Sequence, residues 1–335
     1  MKPSKFIAIG FSAVFLSGLI FLISSTANAD ADWPKKPITM VVGFSAGGGT
    51  DTYARILASV IPPFINNQAL IIVNKTGGAQ IPAMKFTSEA KPDGYTMQLF
   101  ATGAGVLATM IQNSDVDWFR DFHPVAQIGN LNFIVAAHVS KGYKTPQGLA
   151  KAINEAYAKG EKLRWGHAGH GTAVNLSVVA WLLKNDLLDK VEDVPFKGGA
   201  PTLKALADEQ LDFAALAVNY LVGFEDKIEG LGLFANERDP VQKNVPTMKE
   251  QGMPFVEFYS PMTVGVPAKT PQAIIDKMNV AIKKATETEA FKRLSKKLGL
   301  VVAYRGPEET LAMMQSLREQ WKPAVEIIKK QQAQK

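Results

Sequence analysis

The residues best suited to chemistry in this chain gather in glycine-rich loops. The first loop is Gly43-Phe44-Ser45-Ala46-Gly47-Gly48-Gly49-Thr50-Asp51. Its opening, Gly43 to Gly47, fits the Gly-x-Ser-x-Gly elbow of a serine hydrolase, with Ser45 as nucleophile. Such an enzyme also needs an acid and a histidine base downstream, and all four histidines do follow. Against this, the loop leaves the first strand after the leader, whereas an elbow normally follows several strands. The same residues also suit anion binding. A short apolar strand, a glycine turn and a helix start bring free N–H groups together, and the helix dipole adds positive potential. Thr50 or Asp51 is placed to cap that helix. Two phosphate motifs fail here. Gly47-x-Gly49 is followed by Asp51 and Thr52 without a third glycine, and no Lys-Ser or Lys-Thr follows Gly48 or Gly49. The plainest alternative is a turn that only joins strand to helix.

Four later loops repeat the design. They are Asn74-Lys75-Thr76-Gly77-Gly78-Ala79-Gln80, Ala101-Thr102-Gly103-Ala104-Gly105, Gly166-His167-Ala168-Gly169-His170-Gly171-Thr172 and Lys197-Gly198-Gly199-Ala200-Pro201. His167 and His170 can donate to a carboxylate or stack on an aromatic ring. They make a poor metal set, since two nitrogens come with no cysteine and no acid nearby in the sequence. Lys197 is either a solvated loop charge, the simpler reading, or a cation reaching across a cleft. His123 before Pro124 reads as a turn residue, His138 as a surface residue, and Met313 and Met314 as core.

The elements that must hold these loops follow from apolar patterning. Ile38–Val42, Ala69–Val73 and Tyr95–Phe100 read as strands, with helices after the first two. Three strands ending in small-residue loops describe a parallel α/β sheet, whose ligands sit beyond the strands' carboxyl ends. Val125–Gly129 and Phe133–Ala137 are two further strand-like runs around Asn130-Leu131-Asn132. A second α/β unit then begins: helix 147–159, strand 163–165, helix 174–184, strand 191–196, a helix through Leu206, and an apolar run 211–218 ending at Asn219. Strand 259–266 turns back toward the first unit. Helices 271–286, 290–298 and 307–330 follow, with a strand at 301–304. Residues 33–132 with 254–335 make one domain and 133–253 the other. Two crossings join them as a hinge around a cleft.

Composition agrees with two globular domains: 335 residues, 47% hydrophobic and 20% charged. Lys2 and Lys5, the apolar stretch Phe6 to Ile23 and Ala27-Asn28-Ala29 form an export signal cut after Ala29, with an uncleaved anchor as the rival. Cleavage removes two lysines and no acids, so the formal charge falls from +6 to +4. The basic residues near the end lack the interleaved aromatics of a nucleic-acid groove. With no cysteine, thiolate metal sites and cysteine nucleophiles are excluded.

These motifs, in order, resemble one family. Trp33-Pro34-Lys35-Lys36-Pro37-Ile38, Phe44 to Asp51 with Arg55, Val73 to Ala79, Lys91-Pro92-Asp93-Gly94-Tyr95-Thr96, Asp121-Phe122-His123-Pro124-Val125, Val194 to Pro201, Val245-Pro246-Thr247-Met248 and Pro267-Ala268-Lys269-Thr270-Pro271 together are similar to the substrate-binding proteins of tripartite tricarboxylate transporters, the Bug-type receptors. The resemblance spans essentially the whole mature chain. It implies a periplasmic, two-lobed binding protein of type II α/β fold, monomeric, without cofactor or catalysis. Such a receptor hands a small carboxylate to integral-membrane permease subunits. It also implies that Phe44, Ser45, Ala46, Gly47, Gly48, Thr50 and Asp51, with Gly78, Ala79 and Gln80, grip one carboxylate through main-chain amides and ordered water, without an arginine clamp. Thr102 belongs to the same lobe's loops. His167, Gly169, His170, Thr172, Lys197, Gly198 and Asn219 face them from the second lobe. The family usually has serine where His167 stands and glycine-serine where Gly171-Thr172 stands. Its aromatic before the Gly-x-x-Pro stretch is displaced, with Tyr259 as the replacement. Two rivals are a secreted serine hydrolase using Ser45 and a ligand sensor for a signalling partner.

Overall fold

A computed structural model describes residues 32–112 and 114–332. The export signal read at residues 1–29 lies outside them. The chain separates into units 1–33 and 34–335, and the fold below is that of the second.

Ile38–Val42 is a nearly fully buried strand, β1, and runs into helix α1 (Gly49–Val60). β2 (Leu70–Asn74), α2 (Ile81–Ser88) and β3 (Thr96–Ala101) follow, then α3 (Thr102–Ile111) and the short α4 (Trp118–Asp121). β1 lies between β2 and β3 and is parallel to both. Helical crossovers between consecutive strands require that direction. The small residues after β3 read as a loop, yet Thr102 already begins α3. Packing against the sheet overrides the low helix propensity of two glycines.

The strand β4 (Phe122–His138) organises the rest. Its first part, through Asn132, pairs antiparallel with β9 (Tyr259–Pro267), and Phe133 onward pairs with strands of the second lobe. The reading had two runs parted by Asn130-Leu131-Asn132. They are one strand, because Leu131 is buried while its two neighbours are partly exposed, the alternation a strand needs. Asn132 Nδ2 donates to Asp239 Oδ2 at 2.8 Å. His123 also belongs to β4 rather than to a turn, its Nδ1–H donating to the Pro124 carbonyl at 2.9 Å.

The second lobe contains α5 (Pro146–Ala158), β5 (Leu163–His167), α6 (Ala173–Lys184), β6 (Val191–Pro195), α7 (Gly199–Ala207), β7 (Phe213–Ala217) and β8 (Ile228–Leu233). β5 is parallel to β6 and β7, while β7 and β8 pair antiparallel with β4. The sequence reading missed β8, whose Gly230 and Gly232 dilute the apolar pattern. Following β9, α8 (Gln272–Glu287), α9 (Glu289–Lys297), β10 (Val301–Arg305) and α10 (Pro307–Gln332) complete the first lobe. The sheet order is β2-β1-β3-β9-β4-β7-β5-β6, with β8 and β10 also on β4.

A first-lobe core forms around Met84, Phe100, Val106, Trp118, Phe122 and Met314. The Phe100 and Phe122 rings meet edge to face at 4.9 Å, an arrangement that contributes about 0.5–1.5 kcal/mol beyond area burial.

Candidate functional site

Side-chain caps close α5 and α9, whereas three of the four helix starts that meet at the cleft have none. Thr145 Oγ1 accepts the Gly148 N–H before α5, and Thr288 Oγ1 accepts the Phe291 N–H before α9. The caps of α1, α3 and α7 are Gly48, Ala101 and Gly198, with no side-chain cap. Neither Thr50 nor Asp51 caps α1, since both already lie inside its first turn. Residues from four helix starts, Gly48 and Gly49, Ala101, Thr172 and Ala173, and Gly199, line one cavity of about 60 Å³. That gives room for a few water-sized groups. Leu131, Phe133 and Ala215 to Ala217 give it an apolar wall, and Thr50, Tyr220 and Ser260 add hydroxyls. Four helix N-termini meeting at one cavity, three of them without a side-chain cap, make this an anion-favouring space.

A wider outer chamber, about 390 Å³, lies beside it and shares Phe44 and Ala168. Gly77, Gly78, Ala79, Gln112, Gly169, His170, Phe196 and Lys197 line it. Its first-lobe wall is an unusual turn. Gly77, Gly78, Ala79 and Gln80 all have positive φ, at 105°, 52°, 47° and 68°. Outside glycine this conformation costs about 1–2 kcal/mol per residue. Buried Gln80 holds it, its Nε2 donating to the Ala101 carbonyl at 2.7 Å.

The loop before α1 is braced by Asp51, which is buried. Its carboxylate accepts from Arg55 Nε at 2.7 Å, Asn74 Nδ2 at 2.9 Å and the Gly47 N–H at 2.9 Å. Burial alone would raise its pKa, but these bonds outweigh that and hold it below the ordinary 3.8. Asp51 therefore lines neither chamber; it underlies a separate depression with Arg55 and Ser59.

In the second lobe His167 is fully buried at the end of β5. Its Nδ1 accepts the Gly169 N–H at 3.1 Å, so Nε2 carries the proton and donates to Asp193 Oδ1 at 2.6 Å. Both ring nitrogens are thus committed to protein partners. His170 is half exposed and lines the outer chamber. Burial lowers its pKa, with Asp193 opposing and His167 adding to the shift. The sequence showed no acid beside the two histidines; β6 brings Asp193 there by pairing in register with β5.

Of the other expected residues, Phe44, Gly48, Thr50 and Thr172 line the inner cavity, and Gly78, Ala79, Gly169 and Lys197 the outer chamber. Lys197 makes no ion pair among the described residues. Ser45, Thr102 and Asn219 stand behind the linings, and Ser45 Oγ, Thr102 Oγ1 and Asn219 Oδ1 are buried without a hydrogen-bond partner among the described residues. Gly198 (φ 139°) crosses close to Ser45, where an added Cβ would stand 2.6 Å from Ser45 Oγ. Ala46 and Gly47 are exposed. Tyr259 packs edge-on against Trp321 and lines neither chamber. Among the described residues Ser45 Oγ bonds to no histidine.

Sequence reasoning found the loop and helix start at Lys197 to Pro201 but missed Tyr220, Ser260 and Phe133 among the cavity's lining. Tyr220 lies next to Asn219 in a short 3-10 turn, and nothing in its spacing separates it from a core aromatic.

The family model described as "Tripartite tricarboxylate transporter family receptor" matches residues 54–332. A Pseudomonas sp. (strain P51) protein from the tcbD-tcbE intergenic region is 27% identical over 314 residues, covering 92% of this chain and 91% of its own. MatC from Rhodopseudomonas palustris, solved with bound malate, superposes with TM-score 0.80 at 26% identity, covering 88% of this chain and 100% of its own. The periplasmic binding protein BugD superposes with TM-score 0.77 at 24% identity, covering 89% and 98%.

Proposed function

Since the chain belongs to the tripartite tricarboxylate transporter family of receptors, we propose that it captures a small di- or tricarboxylate, or an aromatic acid, between its lobes and delivers it to a membrane permease. The leader at residues 1–29 takes it to the periplasm, and it works there as a single chain without catalysis. The observation that carries this reading is the meeting of four helix starts, three of them without a side-chain cap, at one cavity. One carboxylate enters there; the rest of the molecule occupies the outer chamber toward His170 and Lys197. The malate held by MatC makes malate the first candidate to test.

The energetics are sufficient. Each helix end contributes roughly 0.3–2 kcal/mol to holding an anion. Micromolar affinity needs about −8 kcal/mol. Several ends, hydrogen bonds and apolar burial reach that sum without a buried cation. We take residues 33–132 with 254–335 as one domain and 133–253 as the other; the change of β4's partner from Tyr259 at Asn132 to Ala217 at Phe133 supports the first boundary.

Thermal unfolding of the mature protein against malate, citrate, longer dicarboxylates and aromatic acids tests the proposal. At a hundredfold excess over Kd a true ligand adds about 2.7 kcal/mol of stability. Gly48→Asp places a negative side chain at the start of α1 and removes the shift. No shift with any acid, or an unchanged shift in Gly48→Asp, defeats the reading.

A further inference from the structure

His170, which lines the outer chamber, also belongs to a cluster with Asp193 and His167 that anion capture by itself does not require. His170 Nδ1 stands 3.5 Å from Asp193 Oδ2, while Asp193 Oδ1 takes the His167 Nε2–H at 2.6 Å. Donor atoms of the three side chains lie within 4.8 Å of one another. Two ligands on a four-coordinate Zn²⁺, with bonds of 2.0–2.2 Å, stand about 3.4 Å apart. The separation between His170 and Asp193 matches that edge.

We propose that His170 Nδ1 and Asp193 Oδ2 chelate a divalent transition-metal ion of the Zn²⁺ type at the rim of the outer chamber. His167 is not a ligand, because its Nδ1 faces the Gly169 N–H and its proton therefore sits on Nε2. It stands behind Asp193 and fixes one carboxylate oxygen, leaving the other toward His170. Outer partners of this kind orient metal ligands, and removing them costs about 10–100-fold in affinity. An imidazole and a carboxylate suit Zn²⁺, Ni²⁺ or Cu²⁺ better than Mg²⁺. Two protein donors leave the ion's other positions to water and to oxygen donors of a guest in the chamber that His170 lines. The sequence supplies the histidines three residues apart; only the pairing of β5 with β6 adds the acid.

The test is calorimetric titration of the metal-free, carboxylate-free mature protein with Zn²⁺ alone, with Co²⁺ absorption as a second readout. The expected result is one Zn²⁺ bound per chain. His170→Ala, a change at a half-exposed side chain, and Asp193→Asn each weaken binding by about tenfold or more. His170→Ala also removes the visible Co²⁺ band, and His138→Ala leaves both readouts unchanged. Absence of one-equivalent binding, or wild-type affinity in His170→Ala, overturns the site. Carboxylate binding measured in EDTA is independent of this result, so the two readings fail separately.

Discussion

The phenol oxygen of Tyr220 accepts the N–H of Gly49 at 3.3 Å, tying the second lobe to the first turn of α1. Burial, then the nearby Asp51 charge, raises the phenol's pKa despite the Gly49 bond, so it stays protonated. Its own hydrogen remains available to an anion in the inner cavity, whose wall Tyr220 forms. Tyr220→Phe keeps the ring and removes this link. Carboxylate affinity by calorimetry is expected to fall about 5–15-fold, matching the 1–1.5 kcal/mol of a lost hydrogen bond. An unchanged Kd would remove the hydroxyl from the site.

Gly43→Ala is expected to damage the site from behind. An added Cβ there would stand 2.2 Å from the Cβ of Gln80, the residue that holds the left-handed turn. Either strand or turn must move, at about 1–3 kcal/mol. Urea unfolding should show a lower midpoint, together with weaker carboxylate binding.

Asp51 predicts a specific acid limb. Its folded pKa lies below its ordinary 3.8, so the unfolded chain binds the proton more readily. The stability it contributes is therefore complete above the ordinary value and is lost as pH falls through the folded one. Asp51→Asn should lower stability at pH 7 and flatten the fall below about pH 4. Equal slopes in both proteins would contradict this.

Lys197 is exposed, lines the outer chamber and lacks an ion-pair partner among the described residues. Rim charges act mainly on encounter. Lys197→Glu should slow association with a dicarboxylate about threefold to tenfold at low salt and weaken its salt dependence, as stopped-flow measurements would show.

Much of the fold was already legible locally. β1 and its glycine loop, the parallel strands that follow, the second α/β unit and the last helices are written in apolar runs, glycine turns and helical stripes, which are properties of neighbouring residues. The order of the family's motifs carried the likeness to carboxylate receptors for the same reason. What local pattern could not reach was partnership at long range. Whether Asn130 and Asn132 interrupt a strand or ride on one depends on Tyr259 and Pro261 lying opposite. Asp51 was a plausible ligand until Asn74, 23 residues on, took one of its oxygens. Tyr220 acquired a role only by meeting Gly49, and Asp193 only by lying beside His167. The chain sequence determined which segments offer amides and imidazoles; the packing of β4, β5 and β6 decided which of those groups remain free.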